Sequence, residues 1–195
     1  MIRHSSANII GVVIGLCLFM TAQLSIATGL SKDEWYVRLI AEAPQEHLED
    51  HGNVLGMLNA SADVFDRHDL KELPPFAAPY LTIVFLKHDW GSQNGEYASD
   101  YRKLRGPEYD TEWPFMVKSD VPRRVTLRWE STGGPGLLEK MQLVDMESGD
   151  VVKTVIDNRP NTYTFTMTGD IHRFKWVYTN SPVIRNPGKL TRPQS

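Results

Sequence analysis

The chain has 195 residues, 41% of them hydrophobic and 23% charged, with 21 Lys and Arg against 24 Asp and Glu for a formal charge of −3. That length suits one domain with its own core and leaves little room for two. A mildly acidic balance excludes a general pull toward nucleic acid or an anionic membrane surface.

The first residues are a different material from the rest. Arg3 and His4 precede the apolar run "NIIGVVIGLCLFM", and Ser25 and Ala27 place small residues at the −3 and −1 positions of a signal-peptide cleavage site. Residues 1–27 are therefore expected to be an apolar signal helix removed after Ala27, which sends the protein to the periplasm, the cell surface or the medium. The competing reading is an uncleaved anchor, because no charge stands between Arg3 and Lys32 and the interval can span a bilayer. Only in that case is a membrane contact expected. Cys17, the only cysteine, follows Leu16 inside the run, where a lipid-attachment signal requires a small residue. A cleaved chain has no cysteine, so its fold depends on apolar packing without disulfides.

From residue 28 onward strand signals dominate. "WYVRLIA" sets Trp35, Val37, Leu39 and Ala41 on one side against Tyr36, Arg38 and Ile40 on the other. Residues 43–58, "APQEHLEDHGNVLGML", are the best helical candidate, although Gly52 and Gly56 interrupt it. "YLTIVFL", from Tyr80 to Leu86, is apolar on both faces and is expected to be a central strand. The period of two returns in "WPFMV" (Trp113, Phe115, Val117), "VTLRW" (Val125, Leu127, Trp129), "YTFTM" (Tyr163, Phe165, Met167) and "FKWVY" (Phe174, Trp176, Tyr178). "MQLVDM" and "VVKTV" are joined most simply as a hairpin through Gly149. About seven or eight strands separated by Gly, Pro and Asp turns predict an all-β domain over residues 28–180, with two antiparallel sheets packed face to face. A closed barrel is the alternative. Residues 181–195 hold three prolines with Arg185, Lys189 and Arg192 and no apolar period, which predicts a disordered basic tail.

Four groups of side chains invite a functional reading. Asp63, Asp66, Asp69 and Glu72 stand three residues apart before Pro74 and Pro75. A calcium loop needs oxygens converging on one point. On a helix, steps of three drift by roughly 60° each, so four carboxylates cannot all meet one ion. Arg67, His68 and Lys71 lie among them, and "DLKE" has the form of a capping box, so a structural turn competes with the calcium site. In "HLEDH", His47 and His51 have the spacing of a helical metal pair, but Leu48 stands where a zinc protease needs Glu. Glu108 and Asp110 are a carboxylate pair of the kind used in glycoside hydrolysis, and a chain with 24 acids produces such pairs by chance. Trp90, Tyr97, Tyr101 and Tyr109, scattered through the 88–113 loop outside any strand period, suit stacking on sugar rings or a protein partner, unless they fold over a sheet edge as satellite core. No nucleophile elbow, phosphate loop or dinucleotide fingerprint occurs, so no catalytic residue is assigned. Asn59-Ala60-Ser61 fits a glycosylation acceptor in a host with that machinery.

The order Gly56, Asp63, Phe65-Asp66, Asp69, Glu72, Pro74-Pro75, an apolar strand, "HDW", "YASDYR", "WPFMV", "VTLRW" and "VDMESGD" resembles immunoglobulin-like β-sandwich modules of exported bacterial proteins, including modules near secretion sorting domains. The likeness covers most of residues 35–178. It implies an envelope or extracellular sandwich used as a structural or interaction module, with no active site to transfer. Val64 departs from the Asp-Gly-Phe/Tyr-Asp turn of such modules, and a β-branched residue resists positive φ, so that turn has to differ here or be strained. "NPGKLTRPQS" lacks the strand-rich extension of a sorting domain.

The expectation is thus a non-catalytic exported sandwich acting in envelope structure, adhesion or protein–protein interaction, with no cofactor beyond the calcium reading. The alternative is a carbohydrate-binding module built on the 88–113 aromatics. N-terminal sequencing of the protein isolated from its host is expected to begin at Thr28; a chain that keeps Met1 or Ile2 contradicts cleavage and favours the anchor.

Overall fold

The computed structural model describes residues 30–31, 33–105, 110–133, 140–153 and 161–179; the expected leader and basic tail lie outside them. Within these residues the chain forms β1 (Trp35–Ala43), β2 (Leu48–Leu58), β3 (Leu81–Lys87), β4 (Gly95–Tyr97), β5 (Ser99–Lys103), β6 (Thr111–Ser119), β7 (Arg123–Thr132), β8 (Met141–Asp145), β9 (Val151–Lys153), β10 (Thr162–Met167) and β11 (Ile171–Tyr178). No α-helix occurs among the described residues. The strands form a five-stranded sheet in the order β10-β7-β1-β2-β5 and a six-stranded sheet in the order β4-β3-β6-β11-β8-β9. All pairings are antiparallel except β2 with β5. This is the expected all-β, two-sheet arrangement, with eleven strands among the described residues in place of seven or eight.

The sheets meet through the inward members of each alternating pair. Trp35 on β1 packs edge-on against Trp113 on β6 at 5.3 Å, and Trp129 on β7 against Trp176 on β11 at 5.6 Å. Phe165 on β10 meets Phe174 on β11 at 4.9 Å. Each contact joins one sheet to the other, and burial of each large side chain contributes roughly 1.5–3 kcal/mol. The hairpin between β8 and β9 forms as the sequence predicts, with Gly149 at φ 78°. β3 is buried along Leu81–Phe85 and lies second from the sheet edge, covered beyond by the three residues of β4.

Residues 43–58 are not a helix. Residues 44–47 turn, and Leu48–Leu58 form β2, which pairs antiparallel with β1. Asn53, Leu55 and Met57 are the core-facing set, and a polar residue at its start hid the period. Glycine fits β2 for a steric reason. Gly56 lies opposite Tyr36, and a Cβ there would strike the Trp35 carbonyl oxygen and come within 2.9 Å of Tyr36 Cα.

Gly56→Ala is therefore expected to cost about 3 kcal/mol or to prevent folding, because the obstructing atoms are backbone that cannot turn aside. Urea unfolding of this variant beside Gly52→Ala, where nothing lies within 4 Å, is the check. Equal stability of the two variants would contradict the packing described.

Candidate functional site

At Ala98 the chain crosses from one sheet to the other, because β4 pairs with β3 while β5, one residue later, pairs with β2. This corner exposes strand edges whose N–H and C=O groups need partners. The acidic segment supplies them. The Ala98 N–H donates to the Leu70 carbonyl at 2.7 Å, the Glu72 N–H donates to the Glu96 carbonyl at 2.9 Å, and Lys71 bridges to Tyr97. The Tyr101 N–H donates to Asp69 Oδ1 at 3.2 Å, and the Leu70 N–H to Ser99 Oγ at 2.7 Å.

The remaining carboxylates shape the segment itself. Asp66 accepts from the N–H groups of Ala62 and His68 at 2.5 and 2.7 Å, and Asp69 Oδ2 accepts from the Asp66 N–H at 2.9 Å. Asp63 pairs with Arg105. A helical backbone would have paired Asp63 with Arg67 and His68 with Glu72; instead Asp63 meets Arg105, His68 meets Asp66, and Asp69 holds backbone without starting a helix. The four carboxylates point to different partners. Among the described residues no three His, Cys, Asp or Glu side chains are placed to hold a metal ion. Val64 is not at positive φ, so this β-branched residue carries no left-handed strain in the turn.

Ser61, His68 and Asp66 look like a hydrolytic triad but are not arranged as one. Ser61 Oγ lies 3.1 Å and Asp66 Oδ1 2.9 Å from the same ring nitrogen, Nδ1 of His68. A relay needs the two nitrogens to serve different partners. His47, at φ 55°, sits in the β1–β2 turn, and His51 is exposed on β2 beside Glu49 at 3.5 Å, so the helical His pair also dissolves.

The aromatic residues behave as satellite core. Tyr97 is 0% and Tyr101 3% exposed. The Tyr97 hydroxyl donates to the Gln93 carbonyl, and half-buried Trp90 packs against Tyr97 at 4.9 Å and Phe65 at 5.9 Å. Of Trp90, Tyr97 and Tyr101, only Trp90 reaches the surface, in part. Tyr109 and Glu108 lie outside the described residues.

Two buried polar clusters gave no motif. Asp100, 1% exposed, takes Lys87 Nζ at 2.5 Å and Arg102 Nη2 at 3.1 Å, while Lys87 sits 4.9 Å over the Trp90 ring and Arg102 5.1 Å over Trp113. At the β8–β9 turn, Asp145 accepts from the Glu147 and Ser148 N–H groups, His172 Nε2 and the Tyr163 hydroxyl. Although burial opposes it, these bonds hold the Asp145 carboxyl below the usual range. The detectable signal was phase: Lys87 continues the inward series Leu81, Ile83, Phe85, and Asp145 continues Met141, Leu143.

Past Glu72 the edge cover stops, and a cleft of about 480 Å³ opens between the starts of β2 and β3. It is lined by Leu48, Asp50, Glu72, Leu73, Phe76 and Thr82 among others. Asp50 Oδ2 links the two sheets there, accepting from Ile83 N–H at 2.6 Å and Asn53 Nδ2 at 2.7 Å. Burial pushes the Glu72 carboxyl up to about 7, helped by Asp50 and Glu96 and opposed by the Leu73 N–H and Lys118. Burial likewise raises Asp69 to about 6, outweighing its two N–H bonds. No family model matches the chain, and no curated protein or solved structure matches it either.

Asp69 and Glu72 both rise above their ordinary values of 3.8 and 4.5 on folding, so each favours the fold when protonated. That contribution is complete below those ordinary values and is lost as pH rises through about 6 and about 7. Asp145 has the opposite sign and weakens the fold only as pH falls below the ordinary carboxylate range. The urea midpoint is expected to fall between pH 5 and pH 8, and Asp69→Asn with Glu72→Gln to flatten that slope. A midpoint that rises across this range contradicts the assignment.

Proposed function

We propose that the chain is an exported, non-catalytic β-sandwich module that works by binding another protein at the cell envelope, through the face carried by residues 64–76. Its immunoglobulin-like affiliation is part of this proposal and rests on the motif order, as export rests on the leader. One observation carries the interaction reading. Phe76 is 100% exposed and Leu73 69%, and both line the cleft. Val64, Phe65 and Leu70 of the same segment are exposed as well, so five of the nine large hydrophobics exposed among the described residues fall within it. Such crowding of apolar side chains on one exposed segment is the signature of a contact surface. The carbohydrate alternative has less support, because Tyr97 and Tyr101 offer no open ring face.

A photo-crosslinking amino acid placed at position 76 in the native host is expected to trap a discrete adduct. The same residue at exposed position 124, on β7, is expected to give none. Absence of any adduct at position 76 would contradict an interaction through this face.

A further inference from the structure

We propose that the cleft binds a basic polypeptide segment, taking one Lys or Arg side chain between Glu72 and Asp50 and the apolar residue beside it against Leu73 and Phe76. This rests on the interaction face assigned above and names the chemistry of its partner. The cleft is short of positive charge. Glu49, Asp50 and Glu72 line it, and Glu96 on β4 acts on Glu72 from outside. Against these stands Lys118 on β6, which donates to both Glu96 oxygens at 2.8 and 2.9 Å, while His51 lies beside Glu49 at 3.5 Å.

A second observation is independent of that charge. Thr82, 7% exposed, lines the cleft, and its hydroxyl has no hydrogen-bond partner. That oxygen is shut from solvent, so leaving it unpaired is costly, and a turn of the Thr82 side chain toward the cleft would let it accept from an ammonium or guanidinium donor. Carboxylates beside a lone acceptor on an apolar wall suit a cation attached to an apolar body. Apolar surface also extends past the cleft, since Phe76 stands fully exposed, and a small amine would leave that ring uncovered. The same acids repel nucleic acid and anionic lipid.

A cation seated there requires Glu72 to be ionised. With its carboxyl raised to about 7, binding has to expel a proton at lower pH, so affinity falls as pH drops through that value.

The test is panning of a random heptapeptide library against the full chain purified as its host makes it, followed by calorimetry of the selected peptides. Enrichment of Lys or Arg next to an apolar residue is expected. Glu72→Gln and Phe76→Ser are each expected to weaken binding about tenfold or more, the loss of one charge-assisted bond or one apolar anchor. Wild-type affinity is expected to be about tenfold weaker at pH 5.5 than at pH 8, and nearly flat in Glu72→Gln. Circular dichroism of both variants establishes that they fold, and Glu72→Asp, which keeps the charge, is expected to retain part of the affinity. Selected peptides without cations, indifferent to Glu72→Gln, would overturn the partner chemistry while an adduct at position 76 left the interaction face standing. Arginine amide binding as tightly as the peptides would replace the polypeptide with a small cation. No peptide and no adduct would end both readings.

Discussion

Backbone N–H and C=O groups at an open sheet edge have to bond to something, and the crossing at Ala98 joins two such edges, because β4 and β5 are each the edge strand of a sheet. A closed barrel avoids the problem, and a long helix can cover it. Here an irregular acidic segment does so with main-chain bonds from Leu70 and Glu72 and a side-chain bond from Asp69, while Asp66 braces the segment itself. The rest of the site follows from that arrangement. Carboxylates occupied by backbone N–H groups are not free to converge on an ion. Of the apolar residues between and just after them, Leu70, Leu73 and Phe76 face outward. Where the cover ends, the cleft begins.

Much of the sandwich was legible because alternation survives wherever a strand is five residues or longer and its inward positions are apolar. Trp35–Ala41, Trp113–Val117, Val125–Trp129, Tyr163–Met167 and Phe174–Tyr178 all fall within observed strands. The failures have physical causes. β2 carries Asn53 at an inward position and a glycine required by the approach of Tyr36, so its period was broken by the residues that packing demanded. β4 is too short to display a period, and β5 buries polar Ser99 and Asp100 in succession. The scattered aromatics of the 88–113 loop resembled a binding platform because sequence cannot tell a ring on an open loop from a ring folded over a sheet edge; Tyr97 and Tyr101 do the latter.

The candidate site was half legible. The drift of three-residue steps presupposes a helix that does not form, but the turn reading agrees with the backbone bonds made by Asp66 and Asp69. Nothing in the linear order showed that Asp50 and Glu72, twenty-two positions apart, share a cleft, or that Thr82 lines it. Such juxtapositions belong to topology. The buried Asp100 and Asp145 clusters teach a smaller lesson, since a charged residue in phase with inward apolar residues marks a polar knot tying strands together. Removing one partner from such a knot leaves a buried charge uncompensated, which costs far more than an exposed pair would.

If the acidic segment is a hydrogen-bonded seal on the sandwich edge, its amides should open only with the whole fold. Native-state hydrogen exchange read at the amides of Glu72, Ala98 and Tyr101 tests this directly, because their acceptors lie across the seal. Protection comparable to that of Leu39 and Leu127 in the central strands is the predicted result. Exchange as fast as that of an unprotected peptide amide would show that the segment is not a seal, and the cleft it frames would lose its basis.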